Sequence, residues 1–166
     1  MQVTVTIGRK DLKNKSLERW TKAKMKRLAN RAVNYIKVRT FDRGEGLDDQ
    51  RLATHEELTG KDDGFGAYSK QWGMIRAGLR NKPKKYGGGR SGKGRNTGYV
   101  DLTFSGQLKR QFRVIDSLTD RFIARIGVEG SASEYAIHTH SVRPWMGLSE
   151  KDRAMILSDF RQIMGL

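Results

Sequence analysis

The chain contains no cysteine. That excludes disulfides, thiolate metal ligands and a cysteine nucleophile, and it suits a protein assembled in a reducing cytoplasm. Long apolar runs are missing too, since no window approaches the ~18 consecutive apolar residues that a bilayer span needs. The first residues alternate instead of building an apolar signal-peptide core, so neither secretion nor membrane insertion is expected. Acidic residues are scarce beside basic ones, 18 Asp and Glu against 33 Lys and Arg, for a formal charge of +15. Such a balance opposes self-packing and implies polyanionic or acidic partners, nucleic acid first and an acidic protein surface second. Apolar residues make up 36% of the chain, and counting the 19 glycines as well brings it near the usual globular proportion.

A length of 166 residues suits a single domain. If compact, it has a radius of gyration of about 15 Å. One modest core with long exposed excursions is expected. Val3, Val5 and Ile7 alternate with Gln2, Thr4 and Thr6, which predicts an opening strand that Gly8 ends. Ser16 has the chemistry of an N-cap, with Glu18 near the positive end of the helix dipole. From there to about Phe41, Leu17, Trp20, Met25, Leu28, Ala29, Ala32, Val33 and Ile36 recur at helical spacing. The opposite face carries Arg19, Lys22, Lys26 and Arg27, either a solvated cationic face or a surface for phosphates or an acidic neighbour.

Gly44-Glu45-Gly46 ends that helix, and Leu47 to Gly66 reads as a surface loop with acidic pairs. Asp62-Asp63-Gly64 lacks the alternate ligands and closing Glu of a calcium loop. Tyr68-Ser69-Lys70-Gln71-Trp72 opens a short helix running through Ile75 and Leu79, with Ser69 as its cap. Between positions 80 and 98, Arg80, Lys82, Lys84, Lys85, Arg90, Lys93 and Arg95 occur without an acidic residue, among glycines and Pro83. This flexible basic insert buries too little apolar area to offset its ordering entropy. Gly87 to Lys93 superficially matches a phosphate-binding loop, but Gly94 stands where Ser or Thr must hold magnesium. No nucleotide or other cofactor is expected. What remains is a cationic arm that meets nucleic acid or orders against neighbouring subunits.

Further on, Phe112 to Ile115 and Arg121 to Val128 read as two strands joined by a turn over Asp116 to Asp120. A short helix begins near Ser133, and His138-Thr139-His140 raises a zinc or nuclease reading that would need Glu134 or His55 as a third ligand. Surface or interface histidines are the preferred reading. Ser149 followed by Asp152 opens a final helix whose buried face is Ile156, Leu157, Phe160, Ile163 and Met164, with Gly165 as its stop. The fold class is α+β: a small, mainly antiparallel sheet against a long N-terminal helix and a C-terminal helix, with a long glycine-rich basic loop.

Three stretches carry a family pattern. They are Tyr68-Ser69, the run Tyr99 to Leu108 that includes Asp101-Leu102-Thr103 and Ser105-Gly106, and Arg143-Pro144-Trp145-Met146-Gly147-Leu148-Ser149 with its adjoining Lys151-Asp152-Arg153. Together they resemble the tail-completion (virion morphogenesis) family of tailed bacteriophages, which includes neck, head–tail joining and tail-terminator-like proteins. The resemblance runs from about Trp20 to the C-terminus and departs in the basic insert and the added first strand. It implies a non-catalytic virion protein, assembled in the host cytoplasm. It further implies a ring, hexameric on a sixfold tail axis, that contacts other neck, connector and tail-tube proteins. The repulsion within such a basic ring adds the expectation of contacts to an acidic neighbouring ring or to packaged double-stranded DNA. On the residues alone, Pro144 fixes the chain direction, Trp145 and Leu148 anchor in the core, and Gly147 permits a close approach. The alternative from a different class is a sequence-nonspecific nucleic-acid-binding protein that uses the basic insert.

Overall fold

A computed structural model describes residues 2–6, 22–62, 65–79, 97–102, 106–118 and 123–165. The expected helix start at Ser16, the basic stretch from Arg80 to Arg95, and Thr103 and Ser105 lie outside the described residues.

The periodic apolar run forms helix α1 (Lys22–Lys37). Met25, Leu28, Ala29, Ala32, Val33 and Ile36 are buried on one face, as spacing of three and four residues requires. The helix does not run on in α form to Phe41. At Val38–Asp42 it widens into a π-helical turn that buries three consecutive residues, Arg39, Thr40 and Phe41.

The sheet has three strands, β1 (Gln2–Thr6), β2 (Phe112–Leu118) and β3 (Ile123–Val128), with β3 in the middle and both pairings antiparallel. Val3 and Val114 both stand opposite Ile126. Along β3, Ala124, Ile126 and Val128 are buried and Arg125 is exposed, the alternation expected of a strand with one covered face. The turn expected over Asp116 to Asp120 starts later. A bulge between Val114 and Asp116 resets the register, and Asp116, Ser117 and Leu118 continue the ladder opposite Arg125, Ala124 and Ile123.

Helix α1 packs on β2, β3 and the last helix. The 47–66 segment is not a plain surface loop. It buries Leu52 and contains helix α2 (His55–Thr59), opened by a capping box between Thr54 and Glu57 and closed by Gly60. Helix α3 (Lys70–Arg76) stops before Leu79 because Gly78 takes a φ of 77°. Ser69 occupies its N-cap position, but its side chain makes no capping bond. Helices α4 (Gln107–Gln111), α5 (Ser133–Val142) and α6 (Glu150–Met164) complete the chain. Helix α6 opens with the expected box, in which Ser149 Oγ accepts from Asp152 N and Asp152 Oδ2 accepts from Ser149 N, both at 3.2 Å. It is tied to α1 by Asp159, which accepts from Arg31 and from the Tyr35 hydroxyl. That hydrogen bond is the main reason the Tyr35 pKa is raised.

The core centres on Trp145, which has no exposed surface (0%). Phe41 and Phe112 meet it edge-on at 5.5 and 5.6 Å between ring centroids, the geometry aromatic quadrupoles prefer. Among the described residues, no helix is long and apolar enough to cross a membrane.

Candidate functional site

Asp101 organises the first part of the site. Its carboxylate accepts from Arg76 Nη2 at 2.6 Å and from the Tyr68 hydroxyl at 3.0 Å, while its own N–H donates back to Tyr68 Oη at 3.0 Å. The guanidinium carbon of Arg76 lies 4.5 Å above the Tyr68 ring centroid, adding a cation–π contact. Burial, reinforced by the Asp101 charge, raises the Tyr68 pKa well above its usual value, so the phenol stays protonated and donates. Next along the chain, Leu102 is buried at a φ of 50°, a left-handed conformation that a bulky side chain seldom adopts.

The 143–149 segment forms the second part. Arg39, rising from the π-helical turn, donates through Nη2 to the carbonyls of Trp145 at 2.8 Å and Gly147 at 3.0 Å. Its Nη1 lies 3.2 Å from Asp152 Oδ2, so a nearly fully buried ion pair closes the segment against the start of α6. Burial pushes the Arg39 pKa down and the Asp152 pKa up, and each charge opposes the shift of the other. Trp145 Nε1 donates to Thr139 Oγ1 at 3.2 Å. His140 Nδ1 accepts from the N–H groups of Trp145 at 3.2 Å and Met146 at 3.1 Å. A Cβ on Gly147 would lie 2.7 Å from Leu47 Cδ2, which is the close approach its position implies. Pro144 C=O accepts from Leu47 N at 3.1 Å, and Leu148 packs against the core.

These two parts meet at a cavity of about 370 Å³. Tyr68, Ser69, Trp72 and Arg76 border it from α3 and the residues before it, and Val100 and Leu102 border it from the neighbouring segment. Tyr135, His138 and Thr139 enter from α5, with Arg143 just beyond that helix and His55 at the start of α2. Arg143 Nε donates to Ala53 O at 2.6 Å, which ties the motif to the residues before α2. Burial pulls the Arg143 pKa below the ordinary guanidinium value, with the Tyr68 and Tyr135 hydroxyls pulling it back. It remains a cation at any physiological pH.

Of the residues singled out from sequence, Tyr68, Ser69, Leu102 and Arg143 line the cavity, with Asp101 bonded to Tyr68 just behind. Trp145, Gly147 and Ser149 belong to the latch around Arg39, and Gly106 caps α4 at a φ of 72°. The cationic candidates Arg80, Lys82, Lys84, Lys85, Arg90, Lys93 and Arg95 are all outside the described residues. The histidine pair separates. On a helix, residues two apart point to different sides, and here His138 is exposed beside the cavity while His140 turns to the latch. No group of three or more His, Cys, Asp or Glu positioned for a metal occurs among the described residues.

Two residues that matter here carried no marker in the sequence. Arg76 and Arg39 sit in helical runs where an arginine ordinarily reads as solvent-facing, and only their distant partners Asp101 and Asp152 account for their burial. No family model matches this chain, and no curated protein or solved structure matches it.

Proposed function

We propose that this chain is a structural subunit of the neck of a tailed bacteriophage. It completes the tail or joins it to the head as one member of a ring around the DNA channel, and it makes or breaks no covalent bond. The observation that supports this most directly is how the three resembling stretches are used. Tyr68, Leu102 and Arg143 converge on one cavity, Asp101 holds Tyr68 from behind, and Trp145 to Ser149 form the adjoining latch. Their polar groups hold segments of the frame together: Asp101 with Arg76 and Tyr68, Ser149 with Asp152, and Arg143 with Ala53. Side chains spent on such bonds position surfaces. In the assembled particle the basic insert, Arg80 to Arg95, supplies contacts to packaged DNA or to acidic neighbouring subunits.

Electron microscopy of particles made without this protein tests the reading. Filled heads and finished tails that remain unjoined are the expected result. Normal joined particles would overturn it. A nucleic-acid-binding protein would behave differently in isolation, with tight duplex binding that falls steeply with salt.

A further inference from the structure

The cavity has an unbalanced chemistry. Among the described residues, no acidic side chain lines it. Arg76 is already neutralised by Asp101, which leaves Arg143 as the permanent charge at its wall. The Nη groups of Arg143 have no hydrogen-bonding partner among the described residues, and its only hydrogen bond to them uses Nε. Arg143 is half-buried, and its Nη edge keeps access to solvent instead of pairing with a carboxylate. Around it the surface is aromatic and aliphatic, with Trp72, Tyr68 and Val100 inside and Tyr135 at the rim, 44% exposed. Val142, one turn beyond His138, adds an apolar side chain that is 39% exposed.

We infer that this cavity is a docking pocket for a segment of a neighbouring protein in which an acidic residue adjoins a bulky apolar one. Its carboxylate pairs with the free edge of Arg143, and its apolar neighbour covers Trp72 and Tyr135. The size fits, because about 370 Å³ is near the small end of the ~300–1,000 Å³ usual for ligand pockets and takes one or two side chains. The chain's own basic insert is an unsuitable occupant, since its lysines and arginines would face Arg143 with the same sign. That the neighbour is another virion subunit rests on the neck reading. The pocket's preference for an acidic segment does not.

The full-length ¹⁵N-labelled protein can be titrated with N-acetyl-Glu-Phe-amide and with its Gln and Lys counterparts, following the Trp72 indole and the His138 backbone amide by NMR. The Glu peptide should bind about tenfold or more tighter than the Gln peptide, the worth of one charge-assisted hydrogen bond, and the Lys peptide should not shift these signals. Arg143→Gln should remove the Glu-over-Gln preference, and Arg143→Lys should restore part of it. Because Arg143 also holds Ala53, His138→Glu supplies a second variant at an exposed position and should weaken the Glu peptide without lowering the unfolding temperature. Equal binding of all three peptides, no binding of any, or a preference that survives Arg143→Gln would overturn the inference. So would displacement of the Glu peptide by inorganic phosphate at comparable affinity, which would make the site one for phosphates. Peptide binding by a protein dispensable for head–tail joining would leave the pocket standing and remove the neck reading. Unjoined particles without peptide binding would do the reverse.

Discussion

Tyr68 and Asp101 show how much one polar contact decides in a small core. The Tyr68 hydroxyl both donates to and accepts from Asp101, so Tyr68→Phe removes two hydrogen bonds. A loss of about 1–3 kcal/mol is expected in urea unfolding. Asp101→Asn should cost more, about 3–5 kcal/mol, since it takes the opposite charge away from the Arg76 guanidinium, whose side chain is only 3% exposed. A cost for Asp101→Asn no larger than for Tyr68→Phe would mean that the other contacts of Arg76, the Tyr68 ring among them, compensate for the lost charge. His140 makes a separate, pH-dependent contribution. Its Nδ1 accepts two backbone N–H bonds, which only the neutral ring can do, and burial holds its pKa below the usual 6.5. As pH falls, the unfolded chain therefore takes up this proton before the folded one. The stabilisation is complete above about 6.5 and is lost as pH drops through the folded value. Unfolding temperatures measured between neutral pH and pH ~5 should fall for this reason, and His140→Asn, which does not titrate there, should flatten that part of the profile.

At the scale of elements, the π-helical turn and the start of α6 act as one clasp. The wider turn aims Arg39 inward at Asp152 and at two carbonyls of the 143–149 segment. Its Nε has no hydrogen-bond partner among the described residues, and Nη1 faces Asp152 without hydrogen-bond alignment. A buried pair of this kind costs much desolvation, so it is weak evidence of net stability but expensive to break on one side. Arg39→Met alone should destabilise by about 3–5 kcal/mol, while Arg39→Met combined with Asp152→Asn should lose clearly less in the same urea titration. Equal losses would show that the hydrogen bonds to Trp145 and Gly147 carry the effect instead. Gly44 serves the same clasp. It has a φ of 69°, and a Cβ there would lie 2.3 Å from Val100 O, so the chain leaving the π-helical turn can press directly on the segment that holds Asp101.

For the whole molecule the dominant quantity is the charge of +15. Copies of such a chain repel one another at low ionic strength, and that repulsion is screened once the Debye length shrinks to a few ångströms. Sedimentation of the purified protein should show a monomer near 50 mM salt and stronger self-association near 500 mM, roughly a threefold change in Debye length. Association that weakens with salt would point instead to oppositely charged patches meeting between copies. Within the particle, the same repulsion is offset by acidic surfaces or DNA under the neck reading, which is why partners and not self-contacts are expected to govern ring formation.

Much of the frame was legible one residue at a time. The spacing of Met25 to Ile36, the alternation along β3, the Ser149 and Asp152 box and the anchoring of Trp145 all express local rules, because periodicity and capping depend on neighbours within a turn or two. The box at Thr54 and Glu57 was equally readable and marks a helix inside what otherwise resembles a loop. The cavity was not legible. It exists because Asp101 reaches back to Tyr68 and Arg76, and because α5 carries Tyr135 and His138 to the same place as Trp72. Local sequence specifies which face of each element is apolar. Only the packing of distant elements determines which arginines are neutralised, that Arg143 borders the cavity, and hence where this protein offers a charge to something else.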